Sequence, residues 1–174
     1  MQTIEYRTVD KSEWPNGAWS HEPDKKQWQD EATGLPCLVV RNRMGALCGY
    51  VGVAEGHPAH GKNWRDSGVD SLEVHGGVTY GDHCQPGDEK ESICHIPSIG
   101  EPDHVWWIGF DCSHFGDALP AEKTRLRKYM EAQEYARMFD KSTDYANPNG
   151  TYRDFGYVTR QCQCLARQLK EMSP

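Results

Sequence analysis

The sequence predicts an α+β domain: a mainly antiparallel sheet of about four or more strands with two C-terminal helices packed on it. Three observations carry this. Short apolar or alternating segments, the strand signature, all end by Asp111. Apolar residues at helical spacing appear only after Pro120. Turn chemistry rather than long crossover helices separates the early segments, which favours antiparallel neighbours.

The elements follow in order. Residues 1–30 are polar and broken by Pro15, Gly17 and Pro23, and are expected to form an irregular arm of a single domain spanning 1–174, pinned by Trp14, Trp19 and Trp28. The run "LPCLVVRNRMGALCGYVGV" reads as two strands joined by a turn near Asn42 to Gly45. A loop, "AEGHPAHGKNWRDSG", leads to a third strand expected from Leu72 to Tyr80, with Leu72, Val74 and Val78 on one face and Glu73, His75 and Thr79 on the other. "DHVWWIGFD" reads as a central strand, apolar on both faces. Pro120 suits a first helical residue and "AEKTRLRKYMEAQEYARMFD" continues that helix. Asn147-Pro148-Asn149-Gly150 breaks it. A last helix is expected from Tyr157 to Met172, burying Val158, Cys162, Leu165, Ala166 and Leu169.

Composition narrows the function. A net charge of −7 argues against duplex nucleic acid, which needs a basic face. No segment approaches the ~20 apolar residues that span a bilayer, and the N-terminus lacks a signal pattern. The odd count of seven cysteines, without scaffold spacing, predicts reduced thiols in a cytosol. Oligomeric state is left open, and a homo-oligomer is compatible with this composition.

Two stretches concentrate chemistry. In "EVHGGVTYG", Gly76 and Gly77 inside a strand mark either a bulge or a close approach by a ligand next to His75. In "WWIGFDCSHFGD", the strand ends in Asp111, Cys112, His114 and Asp117, where a rigid scaffold meets an accessible loop. A structural reading gives Asp117 to helix capping and Asp111 to loop amides. The functional reading makes His75, Asp111, His114 and Asp117 one pocket, with Gly76, Gly77, Thr79, Tyr80 and Trp107 completing a ligand-binding surface and the first four serving as acid–base residues should the protein be an enzyme. Gly109 would keep that side open. A Cys112–His114 nucleophile pair is disfavoured because Cys112 follows Phe110 on a buried face. Neither a CxxC pair nor an HExxH helix is present, so no metal or other cofactor is expected, with zinc kept as the alternative.

Read in order, "DEATGLPCLVVR", "GALCGYVGVAEGHPAHGK", "VHGGVTYG", "ICHIP" and "VWWIGFDCSHFGD" make the chain resemble a family of small proteins encoded by tailed bacteriophages, from about Glu22 through the last helix. The resemblance implies a soluble protein made in the cytoplasm of the infected bacterial host and accessory to replication or assembly. It implies no catalytic residue. By analogy with phage proteins that neutralise host defence, the expected ligand is a small nucleotide-derived signal that the protein sequesters, with aromatic rings to stack a base and Arg41, Arg43 or Lys62 to meet phosphate. The alternatives are a hydrolase or lyase acting on such a ligand, and a direct protein inhibitor of a host enzyme.

Overall fold

The computed structural model describes residues 1–85, 87–122, 124, 128 and 150–172. Six strands form one antiparallel sheet: β1 (Ile4–Tyr6), β2 (Lys25–Gln29), β3 (Pro36–Arg41), β4 (Leu47–Val53), β5 (Tyr80–His83) and β6 (Trp106–Asp111), in the order β1-β2-β3-β4-β6-β5. Among the described residues, the α-helix α1 (Phe155–Glu171) packs on it, so the architecture is α+β. The helix expected from Pro120 to Asp140 lies almost wholly outside the described residues.

The β3–β4 hairpin forms where the turn residues place it. The Asn42 side-chain oxygen accepts from the amides of Met44 and Ala46, at 2.9 and 3.1 Å, and Gly45 takes a left-handed φ of +85°. Arg41 then faces Leu47 across the ladder.

Each sheet face has its own apolar cluster. Cys37, Val39, Leu47, Val51, Ile108 and Phe110 meet the α1 stripe of Val158, Cys162, Leu165, Ala166 and Leu169. Gly49 lets the helix come close, since a Cβ there would stand 2.6 Å from the Cys162 sulfur. The other face carries Leu38, Val40, Cys48, Tyr50 and Trp107, with Tyr80 and Ile93 packed against them. Leu165 has no exposed surface. Leu165→Ala is therefore expected to cost about 2–5 kcal/mol in a denaturant melt, whereas a change under about 0.5 kcal/mol would mark α1 as peripheral.

Three sequence expectations are corrected. Residues 1–30 are not an irregular arm throughout, because they contain β1 and β2. The polar run Lys25–Gln29 hides its strand character, since Lys25 and Gln27 are buried yet satisfied by distant partners. The Gln27 amide donates to the carbonyls of Gln2 and Ile96 and accepts from the Ile96 amide. Lys25 donates to the Glu89 carbonyl, and burial lowers its pKa to about 8.

The strand expected from Leu72 to Tyr80 is the second correction. Gly76 and Gly77 have φ of +67° and +86°, incompatible with a continuous ladder, and pairing begins only at Tyr80 opposite Gly109. Residues 73–75 lie beside α1 instead. Gln168 accepts from the Glu73 amide at 2.8 Å and Gln161 from the His75 amide at 2.9 Å.

Third, the seven thiols are not all reduced: Cys84 and Cys94 form a disulfide with Cα atoms 4.9 Å apart. It closes the loop that follows β5, and spacing alone did not distinguish this pair. Among the described residues, no helix is long and apolar enough to cross a membrane.

Candidate functional site

Three chain segments converge at one end of α1. The first is the Val74–Gly77 turn, which presents His75. The second is the turn after β6, closed by a bond from the Asp117 amide to the His114 carbonyl at 2.9 Å. The third is Thr151–Tyr157, which bridges to Asp117 through Thr151 and then enters α1 with Asp154 as N-cap, its carboxylate accepting from the Tyr157 amide at 2.7 Å.

Asp117 organises the cluster. Its Oδ2 lies 2.8 Å from His75 Nε2 and accepts from the His114 backbone N–H at 3.0 Å, while its Oδ1 accepts from Arg153 Nε at 2.9 Å. Burial works to raise the Asp117 pKa, but the bonds from His75, Arg153 and the His114 amide outweigh it and hold the group below the ordinary carboxylate range. Asp117 is thus a buried anion with a full set of donors.

His75 is held from both sides, since its Nδ1 lies 3.0 Å from the Tyr157 hydroxyl. The His114 ring packs edge-on against the His75 ring with centroids 5.4 Å apart. Among the described residues its buried Nδ1 has no hydrogen-bond partner, and it stands 3.8 Å from Asp117 Oδ2, too far for a hydrogen bond. Gly76 is the seat of this imidazole: a Cβ there would lie 2.1 Å from His114 Cε1. The close approach predicted at the paired glycines is therefore made by the protein's own histidine. One metal-ligating atom from each of His75, His114 and Asp117 falls within 4.8 Å of the others, so this group can hold a metal ion even though the sequence spacing argued for none.

The remaining expected site residues lie elsewhere. Asp111 shares the sheet face of Cys48 and Trp107, opposite α1, and its oxygens accept from the Thr79 hydroxyl and the Ser113 amide, each at 2.9 Å. The convergence expected for Asp111 with His75 thus fails, because the β6 pleat turns Asp111 away from α1 while His75 sits in a turn beside that helix. Thr79 goes with Asp111. Trp107 is fully buried beneath His95, at 5.3 Å between rings, and Tyr80 packs edge-on against Tyr50. Gly109 makes room for the Tyr50 ring rather than for a ligand, with a notional Cβ 2.2 Å from Tyr50 Cδ1. Gly77 belongs to the His75 turn and has open space above it. Cys112 is buried, and burial together with nearby Asp117 raises its thiol pKa, which removes it as a nucleophile. Arg41 does not meet phosphate, because every guanidinium N–H is engaged by protein oxygens.

Sequence reasoning missed Arg153 and Tyr157. The signal available was a polar row, Tyr157, Gln161 and Gln168, beside the apolar stripe of the last helix. All three hold the segment around His75. Arg153 also lies over the Tyr157 ring at 5.0 Å.

A separate cavity of about 630 Å³ opens on the sheet face opposite α1, lined in part by Trp14, Tyr50, Arg43 and Lys90. No protein-family model, curated protein or solved structure matches the chain.

Proposed function

We propose that the protein is a hydrolase or lyase acting on a small phosphorylated, nucleotide-derived molecule at His75, His114 and Asp117. The observation that carries this reading is a pair of contacting imidazoles, one of them hydrogen-bonded to a buried carboxylate. An Asp–His pair flanked by a second histidine supplies what acid–base cleavage needs: one oriented imidazole and one that can reach a substrate. His75 is the oriented one, with both ring nitrogens engaged. His114 is the reaching one, its side chain about a third exposed. Among the described residues Arg153 uses only Nε in hydrogen bonding, which leaves its terminal nitrogens for a phosphate. Phe115, next to His114 in the chain, is fully exposed and offers a ring on which a base can stack. The bacteriophage setting and the cytoplasm of the infected cell rest on the sequence resemblance alone, and the role against host defence rests on analogy with other phage proteins.

A second reading, sequestration without turnover, draws on the 630 Å³ cavity, where Trp14 and Tyr50 adjoin Arg43 and Lys90. One experiment separates the two. The protein is incubated with cyclic dinucleotides, ADP-ribose derivatives and ordinary nucleotides, and the mixture is examined by mass spectrometry after denaturation. The hydrolase or lyase reading expects a cleaved product. Recovery of an intact compound that also raises the melting temperature favours sequestration, and no change with any compound turns attention to a protein target.

A further inference from the structure

We infer that His75, His114 and Asp117 form a binding site for a borderline divalent transition metal of the zinc class, with Tyr157 and Arg153 as the residues that orient the ligands. Two imidazoles and one carboxylate are a donor set suited to such ions, which leaves further coordination positions for water or substrate. The inference deepens the hydrolase or lyase reading, since it would make a metal-held water the reacting group, but it stands on separate observations.

The first is distance. Ligand atoms about 2.0–2.1 Å from a tetrahedral ion stand about 3.3 Å from one another. His75 Nε2 is 2.8 Å from Asp117 Oδ2 and His114 Nδ1 is 3.8 Å from it, so shifts of about half an ångström, one outward and one inward, bring both to that spacing. The second is the His114 Nδ1 atom, buried and, among the described residues, without a hydrogen-bond partner, 3.8 Å from the carboxylate. A buried imidazole nitrogen without a hydrogen bond is costly, and a cation at this point satisfies it.

The surrounding bonds are those that a metal site requires. A ligating histidine usually donates its other N–H to an oxygen. Tyr157 provides that oxygen at 3.0 Å from His75 Nδ1, and a hydroxyl both donates and accepts. His75 can therefore move its proton from Nε2 to Nδ1 when Nε2 takes the metal, with Tyr157 reversing its role. Arg153 holds Oδ1 of Asp117, while Oδ2 keeps its bond from the His114 amide and would exchange its contact with His75 Nε2 for the ion. Gly76 keeps His114 seated beside His75, and its left-handed φ of +67° disfavours any side chain there.

The test is zinc binding by calorimetry to chelator-treated full-length protein, with the cobalt(II) absorption spectrum as a second readout. Wild type is expected to bind one ion per chain and to give a nitrogen- and oxygen-ligated cobalt spectrum. His114→Ala and Asp117→Asn are expected to lose that binding. Tyr157→Phe, which keeps the ring, is expected to weaken it by about 10–100-fold. Melting curves without metal establish that each variant is folded; His114→Ala removes only a part-exposed ring and is the decisive one. Absence of zinc binding to wild type overturns the inference, as does equal binding by folded His114→Ala. Substrate cleavage by a wild type that binds no zinc overturns it while leaving the hydrolase or lyase reading in place. Stoichiometric binding lost in His114→Ala, with no substrate cleaved, supports the metal site and removes the catalytic reading instead.

Discussion

Arg41→Ala is expected to lower stability by about 3–5 kcal/mol, the cost of leaving a buried charge without its partner. The Arg41 side chain has no exposed surface. Its Nε donates to Asp24 Oδ1 at 2.9 Å and its Nη2 to Glu22 Oε2 at 3.1 Å, while Nη1 reaches the Gly45 carbonyl and the Tyr152 hydroxyl. Glu22 in turn accepts from the Phe155 amide at the start of α1. One guanidinium thus ties the N-terminal segment, the β3–β4 turn and the entry to the helix. Removing it leaves Asp24, 3% exposed, with Lys11 as its remaining cation. Arg41→Lys is expected to recover only part of the loss, because an ammonium cannot reproduce the planar fork. Denaturant melts of both variants measure this. A loss under about 1 kcal/mol for alanine would show that the network contributes no more than an exposed pair.

His114→Ala is expected to reduce turnover by about 10²–10⁴-fold, the usual contribution of a positioned acid or base. The melting temperature should stay within about 2 °C of wild type, since a part-exposed ring carries little packing energy. The contrast between the two effects is the informative quantity. His75 is less suited to the test, since its bonds to Asp117 and Tyr157 join three segments and its loss mixes folding with function. Lowered stability with turnover preserved in His114→Ala would assign the ring a structural role, as the cap that covers Asp117.

The same contrast shows how far the sequence reaches. Its local signals were sufficient for the β3–β4 turn, the run of β6 and the buried stripe of α1, because each depends on residues within a few positions of one another. Asn42 and Gly45 make their turn from their own side-chain and backbone preferences, and Val158, Cys162, Leu165 and Leu169 share a face by helical geometry alone. The grouping of His75, His114 and Asp117 was also foreshadowed, by glycines beside one histidine and polar residues at a strand end.

Local rules failed where burial is decided by partners far along the chain. Strand β2 reads as polar, yet Gln27 is buried because residues 2 and 96 complete its hydrogen bonds. Alternation placed Asp111 correctly relative to Trp107 and Gly109, but it could not say which sheet face α1 would cover. That face is set by the bulk of Ile108 and Phe110 meeting Cys162 and Leu165. Gly76 and Gly77 signalled a close approach without naming the approaching group, which the fold supplies as His114 from 38 positions away. The sequence by itself determined β3, β4, β6 and α1 and the residue types available for chemistry. Only the tertiary structure decided that Asp111 stands apart, that Arg153 and Tyr157 join the site, and that Cys84 meets Cys94, because each of these depends on which surfaces pack together rather than on the preferences of neighbouring residues.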